Sequence, residues 1–150
     1  MLRMLSFIMC ASLLTSCGKS RRDSVFYLPE ALRGWVIIFY NEPNGKAIEL
    51  DGERIVYRIP ADGFLTLKFG RDEGFGRESF YLVTRDGRSV PIAAWAKPME
   101  IRARTDGLMR EKELGRPVEF YAFFLGTEDE LKANPSVDDE VRKAIQRIRR

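Results

Sequence analysis

Between residues 25 and 125 the chain sets short apolar runs between turn residues at the spacing of a β protein. The run "RIVYRIP" places Ile55, Tyr57 and Ile59 opposite Arg54 and Arg58, the two-residue period of a strand with one face in a core and the other in water. "VFYLP", "FLTLKF" (64–69), "SFYLVT" (79–84), "SVPIAAW" (89–95) and "MEIRAR" (99–104) are further aromatic and β-branched runs of strand length. Two runs differ from these. "GWVIIFY" (34–40) and "VEFYAFFL" (118–125) are apolar on both sides, with Trp35, Ile37 and Phe39 pointing one way and Val36, Ile38 and Tyr40 the other. Such strands belong at the centre of a sheet whose two faces are both covered.

Punctuation supports the pattern. Four Asp-Gly pairs, at 51–52, 62–63, 86–87 and 106–107, read as turns, where Gly takes positive φ and Asp bonds its own backbone. Pro91 cannot donate to a ladder and confines its strand to an edge or an irregular start. After residue 126 the period changes to that of helices. Thr127 with Glu130 and Ser136 with Asp139 have capping-box spacing, and Val137, Val141, Ala144, Ile145 and Ile148 form one apolar stripe. The predicted fold is mainly β: an antiparallel β-sandwich or partly open barrel of about eight strands, residues 25–126, with a C-terminal α-helical tail, 127–150, covering the second face of the two-sided strands.

The N-terminus specifies where such a domain resides. A basic start and ten uncharged residues, "LSFIMCASLL" (5–14), make a secretory signal, too short to span a bilayer core of roughly 20 apolar residues. Leu14-Thr15-Ser16-Cys17 resembles the bacterial lipobox, in which the Cys is acylated and exposed by cleavage before it. Residues 1–16 are then a lipoprotein signal peptide, Cys17 the lipidation site, and 17–24 a tether. Two or three acyl chains hold a protein on a membrane far longer than one. Lys19, Arg21 and Arg22 lie close enough to the anchor to meet anionic headgroups.

Composition narrows the chemistry. The chain has no His, which removes Ser-His-Asp and Cys-His catalysis and the commonest transition-metal ligand. Of its two Cys, Cys10 falls in the leader and Cys17 is acylated, so no thiol or disulfide remains. No cofactor and no metal are expected; the Asp-Gly pairs lack the close spacing of a calcium loop. With 25 Lys and Arg against 22 Asp and Glu, nothing calls for a nucleic-acid partner.

The stretches "YLPEALRGWVIIFYNEPNG", "DGERIVYRIPADGFL", "FYLVTRDGR" and "FFLGTEDEL" resemble a family of small bacterial exported proteins and lipoproteins of uncharacterised function. The motif positions are Pro29, Glu30, Gly34, Trp35 and Val36, then Asp51, Gly52 and 56–60. The resemblance spans about residues 26–130, implies a shared fold and carries no known reaction.

Recognition on a β scaffold concentrates in loops. "GRDEGFGRE" (70–78) lacks the Gly-Lys-Ser/Thr ending of a phosphate loop and reads as a hairpin loop able to touch a partner, with Phe75 at its tip. The candidate binding residues are Trp35, Arg58, Arg71 and Phe75. The expected protein is a non-catalytic binding or structural module, inhibitor- or immunity-like, held on the cell membrane or outer membrane at its periplasmic face, with an envelope protein as partner. The alternative is a carboxylate-dependent hydrolase of glycan or peptidoglycan, for which Glu30, Glu42, Asp72 and Glu73 are the candidate acids. The sequence leaves oligomeric state open.

Overall fold

The computed structural model describes residues 21–72, 76–94, 99–110 and 115–148. Among them are nine strands, β1 (Ser24–Pro29), β2 (Gly34–Tyr40), β3 (Glu49–Asp51), β4 (Arg54–Arg58), β5 (Phe64–Thr66), β6 (Glu78–Val83), β7 (Ser89–Pro91), β8 (Glu100–Arg110) and β9 (Pro117–Gly126), followed by helices α1 (Glu128–Ala133) and α2 (Val137–Ile148). The strands form two sheets, β3-β4-β1-β6-β7 and β5-β2-β9-β8, packed face to face as an open sandwich.

The two-sided strands are central, as their composition requires. β2 pairs antiparallel with β9 from Gly34 opposite Leu125 to Tyr40 opposite Glu119. Their inner side chains, Val36, Ile38, Tyr40, Tyr121, Phe123 and Leu125, meet Phe26, Leu28, Tyr57 and Leu82 of the other sheet. An aromatic stack runs through this core: Phe26 lies 4.6 Å from Tyr57 and 4.7 Å from Phe80 in near-parallel planes, and Phe123 meets Phe26 and Phe80 edge-on. The outer side chains Ile37, Phe39, Phe120 and Ala122 pack on Val141, Ala144 and Ile145 of α2. The protein is therefore three layers deep, sheet, sheet and helix.

The first capping box forms completely, and the second forms by half, the Asp139 carboxylate accepting from the Ser136 hydroxyl rather than from its backbone N–H. Thr127 accepts from the Glu130 N–H while Glu130 accepts from the Thr127 N–H, and Ser136 accepts from the Asp139 N–H. Trp35 Nε1 donates to Pro135 O at 3.0 Å, tying the α1–α2 connection to β2.

Several features depart from the sequence pattern. The sandwich is not wholly antiparallel: β1 runs parallel to both β4 and β6, and β2 parallel to β5. The chain keeps crossing between sheets, with β1, β3–β4 and β6–β7 in one and β2, β5 and β8–β9 in the other, so returning strands often arrive in the direction of their neighbour. Periodicity identifies a strand's faces and leaves its partners unspecified. The 89–95 run forms an edge strand only to Pro91 and then a 3-10 helix, Ile92–Ala94. Asp106-Gly107 is no turn; it lies within β8, opposite Tyr121 and Phe120, and a Cβ on Gly107 would come within 3.4 Å of the Phe120 ring. The end of the expected tether is held on the domain: Ser24 begins β1, its N–H donates to Arg77 O, and the Ile55 N–H donates to Asp23 O.

Ile145 is buried between α2 and the outer face of β2 and β9. Ile145→Ala is expected to destabilise the domain by about 2–4 kcal/mol, read from its urea unfolding midpoint. The backbone N–H of Arg77 lowers the Asp23 carboxyl below its ordinary value, and that of Thr127 does the same for Glu130. Groups lowered on folding contribute stability above their ordinary pKa, and that contribution is lost as pH falls through the lowered value. Thermal stability should therefore fall between about pH 5 and pH 3, and Asp23→Asn with Glu130→Gln should flatten that dependence.

Candidate functional site

A polar concavity lies at the edge of the inter-sheet core. Arg21, Arg71, Gly76, Glu78, Arg104, Asp106 and Tyr121 enclose about 420 Å³. Each arrives for a local reason. Arg21 precedes β1, whose parallel pairing with β6 sets Ser24 opposite Glu78. Arg71 follows β5 on the loop after Gly70. Arg104 and Asp106 come from β8 at a bulge, where the register against β9 slips between Arg102 and Thr105 and Ala103 takes a positive φ of 46°. A bulge of this kind bends a strand and re-aims its side chains. Tyr121 is an inner residue of β9 whose hydroxyl reaches the rim of the core.

Glu78, only 13% exposed in its side chain, is the hub. Its Oε1 accepts from Arg21 Nη2 at 2.8 Å; its Oε2 accepts from the Tyr121 hydroxyl at 3.0 Å and from Arg104 Nη1 at 3.3 Å. Asp106 pairs with Arg71 at 2.5 Å, and the Arg71 guanidinium lies 5.2 Å from the centre of the Tyr121 ring. Burial, reinforced by the Glu78 charge, raises the Tyr121 phenol, so it stays protonated and donates. Burial is the largest single influence on Arg71 and works against its charge, but the hydrogen bond and charge of Asp106, with Tyr40 and Tyr121, together outweigh it and hold Arg71 above its ordinary value. Arg21 Nε is buried without an acceptor among the described residues.

Three guanidinium groups thus face two carboxylates, with both oxygens of Glu78 and Oδ2 of Asp106 engaged. The cradle has one net positive charge and donors to spare. Planar guanidinium forks suit carboxylate, phosphate or backbone carbonyl groups.

Of the residues singled out from sequence, Arg71 alone lies in the cradle. Arg58 bonds Glu49 through Nε and Nη2, and its guanidinium sits 4.9 Å from the Tyr27 ring centre. Trp35, on the outer face of the second sheet, packs edge-on against Phe124 and anchors Pro135. Phe75, Glu73 and Cys17 lie outside the described residues. The other candidate acids do not converge: Glu30 faces Arg85 at 3.5 Å, Glu42 is buried with Arg116, and Asp72 accepts from the Arg22 N–H. Among the described residues no group of three His, Cys, Asp or Glu is placed to hold a metal ion.

Sequence reasoning missed Arg21, Glu78, Arg104, Asp106 and Tyr121 as a set. Arg21 reads as tether, Asp106 as turn and Tyr121 as one more apolar strand residue. The available signal was Arg104 and Asp106 two apart, on one face of a strand.

The model of a family of unknown function (DUF6843) matches residues 20–129, a span that contains the whole cradle and stops before α2. A crystal structure of a "putative lipoprotein" from Bacillus anthracis shares the fold, with a TM-score of 0.63 and 19% sequence identity over 85% of this chain and 94% of that one. No protein of curated function matches the chain.

Glu78→Gln should cost roughly 2–4 kcal/mol, because it leaves Arg21 and Arg104 facing a neutral amide in a half-buried site. Tyr121→Phe should cost about 1 kcal/mol. Denaturant titration of both variants measures the difference.

Proposed function

We propose that the chain, which belongs to the DUF6843 family of unknown function, is a lipid-anchored protein of the cell envelope whose sandwich serves as a non-catalytic binding module with the arginine cradle as its contact surface. The observation that carries this reading is the position of Arg21. It is locked to Glu78 in the cradle and stands four residues after Cys17, about 14 Å of fully extended chain. An acylated Cys17 would hold the cradle close to the bilayer surface, facing whatever is embedded there. Among the described residues no helix is long and apolar enough to cross a membrane.

The chemistry of the cradle favours binding over hydrolysis. Glu78 and Asp106 line one cavity, as a carboxylate-dependent hydrolase would need, but Glu78 accepts from Arg21, Arg104 and Tyr121, and Asp106 is paired with Arg71. A carboxylate nucleophile needs a free oxygen, and both oxygens of Glu78 are already accepting, so the two available carboxylates that such hydrolysis requires are not both present. What the cradle has free is guanidinium N–H. The partner of this reading is an envelope protein presenting carboxylate or carbonyl groups near the membrane, and holding such a protein inactive, as inhibitors and immunity proteins do, is its specific form.

Crosslinking in the native envelope, followed by affinity purification and mass spectrometry, tests it. One near-stoichiometric protein should be captured, lost with Cys17→Ala and strongly reduced with Arg71→Gln/Arg104→Gln. Capture of no protein, with acylation of Cys17 confirmed, would overturn the protein-binding role.

A further inference from the structure

A second cavity lies on the opposite side of the β2–β9 wall, outside the cradle. It holds about 460 Å³ between the C-terminal end of α2, β5 and the loop after β2. Its floor is apolar, formed by Phe39, Phe64 and Ile148, and its volume is that of a small-ligand site.

One wall is a carboxylate that the fold has taken out of water. Glu42 is 2% exposed. Its backbone is pinned on both sides, the N–H donating to Leu67 O and the carbonyl accepting from the Gly45 N–H. The preceding residue, Asn41, takes a positive φ of 57°, an uncommon conformation for a residue with a side chain. Only half of the carboxylate is satisfied: Oε2 accepts from Arg116 Nη2 at 2.7 Å, while Oε1 is buried and has no partner among the described residues. A buried acceptor without a donor is costly, and a carboxylate can accept several hydrogen bonds. Glu42 lines the cavity, and the terminal torsion of Glu is soft, so its carboxylate is free to adjust to a donor placed there. Arg116 is 39% exposed and can be reached from the same space.

The charges of the cavity come in opposed pairs. Glu42 and Arg116 form one, and Asp62 and Arg147 the second at 3.6 Å, with the Arg147 guanidinium 4.5 Å from the Phe64 ring centre. A lone cation would meet two arginines, and a lone anion two carboxylates. A molecule carrying both charges side by side can lie antiparallel to the Glu42–Arg116 pair, its ammonium on Oε1 and its carboxylate on the guanidinium. We infer that this cavity binds a free α-amino acid with an apolar side chain, the ammonium taken by Glu42, the carboxylate by Arg116 and the side chain laid on Phe39, Phe64 and Ile148.

Calorimetric titration of the full chain in detergent micelles, with empty micelles as control, tests the inference using L-phenylalanine, phenethylamine and 3-phenylpropionate as probes. L-phenylalanine should bind saturably, and each half-charged analogue about tenfold or more weakly, since each forfeits a charge-assisted hydrogen bond. Glu42→Gln and Arg116→Gln should each weaken L-phenylalanine by a similar factor; near-UV circular dichroism shows whether each variant keeps its fold. Because both could unfold, amide chemical shifts of the unaltered protein supply a second reading, with changes expected at residues 42–45, 64–66 and 144–148. Absence of saturable L-phenylalanine binding, equal binding of phenethylamine, or undiminished binding by either folded variant would overturn it.

Discussion

The β2–β9 pair is the wall on which everything else in this protein is hung. Most sandwich strands bury one face and wet the other. Here Val36, Ile38, Phe123 and Leu125 go into the inter-sheet core, while Ile37, Phe39, Phe120 and Ala122 go under α2. With both faces buried, a slip of one residue between β2 and β9 would still place apolar groups inside but would misplace every polar group that depends on the register.

Those polar groups are what the wall positions. Tyr121 points to the inner side, where its hydroxyl completes the Glu78 hub, and Phe39, on the outer side, floors the cavity beside Glu42. The cradle and the second cavity thus open on opposite sides of one strand pair. Each also contains a polar atom that is buried without a partner among the described residues, Arg21 Nε in the first and Glu42 Oε1 in the second. Groups of that kind are rare in folded proteins because they cost free energy, and here both lie beside open volume.

The wall was legible in sequence because apolar residues on both sides of a strand have only one physical use. The same holds for α2, whose apolar stripe packs on the outer face of the wall, and for the Thr127–Glu130 capping box. What could not be read was partnership. The parallel pairing of β1 with β4 and β6 depends on the order in which the chain crosses between sheets, which no local pattern encodes. The cradle was hidden for the same reason: Arg21, Glu78 and Asp106 are far apart in sequence and meet only when β1, β6 and β8 reach one edge of the sandwich. Asp106-Gly107 shows the limit of local chemistry. A dipeptide that suits a turn serves equally well inside a long strand, where Gly107 lies opposite Phe120 with its ring close against the backbone.

Native-state hydrogen exchange of the protein tests the role of the wall most directly. If β2 and β9 support both surfaces, their paired amides, from Gly34–Leu125 to Tyr40–Glu119, should exchange only through global unfolding, while α2 and the edge strands β3 and β7 open earlier. Exchange of the β2 and β9 amides as fast as that of the edge strands would contradict the account, since cradle and cavity would then rest on a part of the structure that opens without the rest.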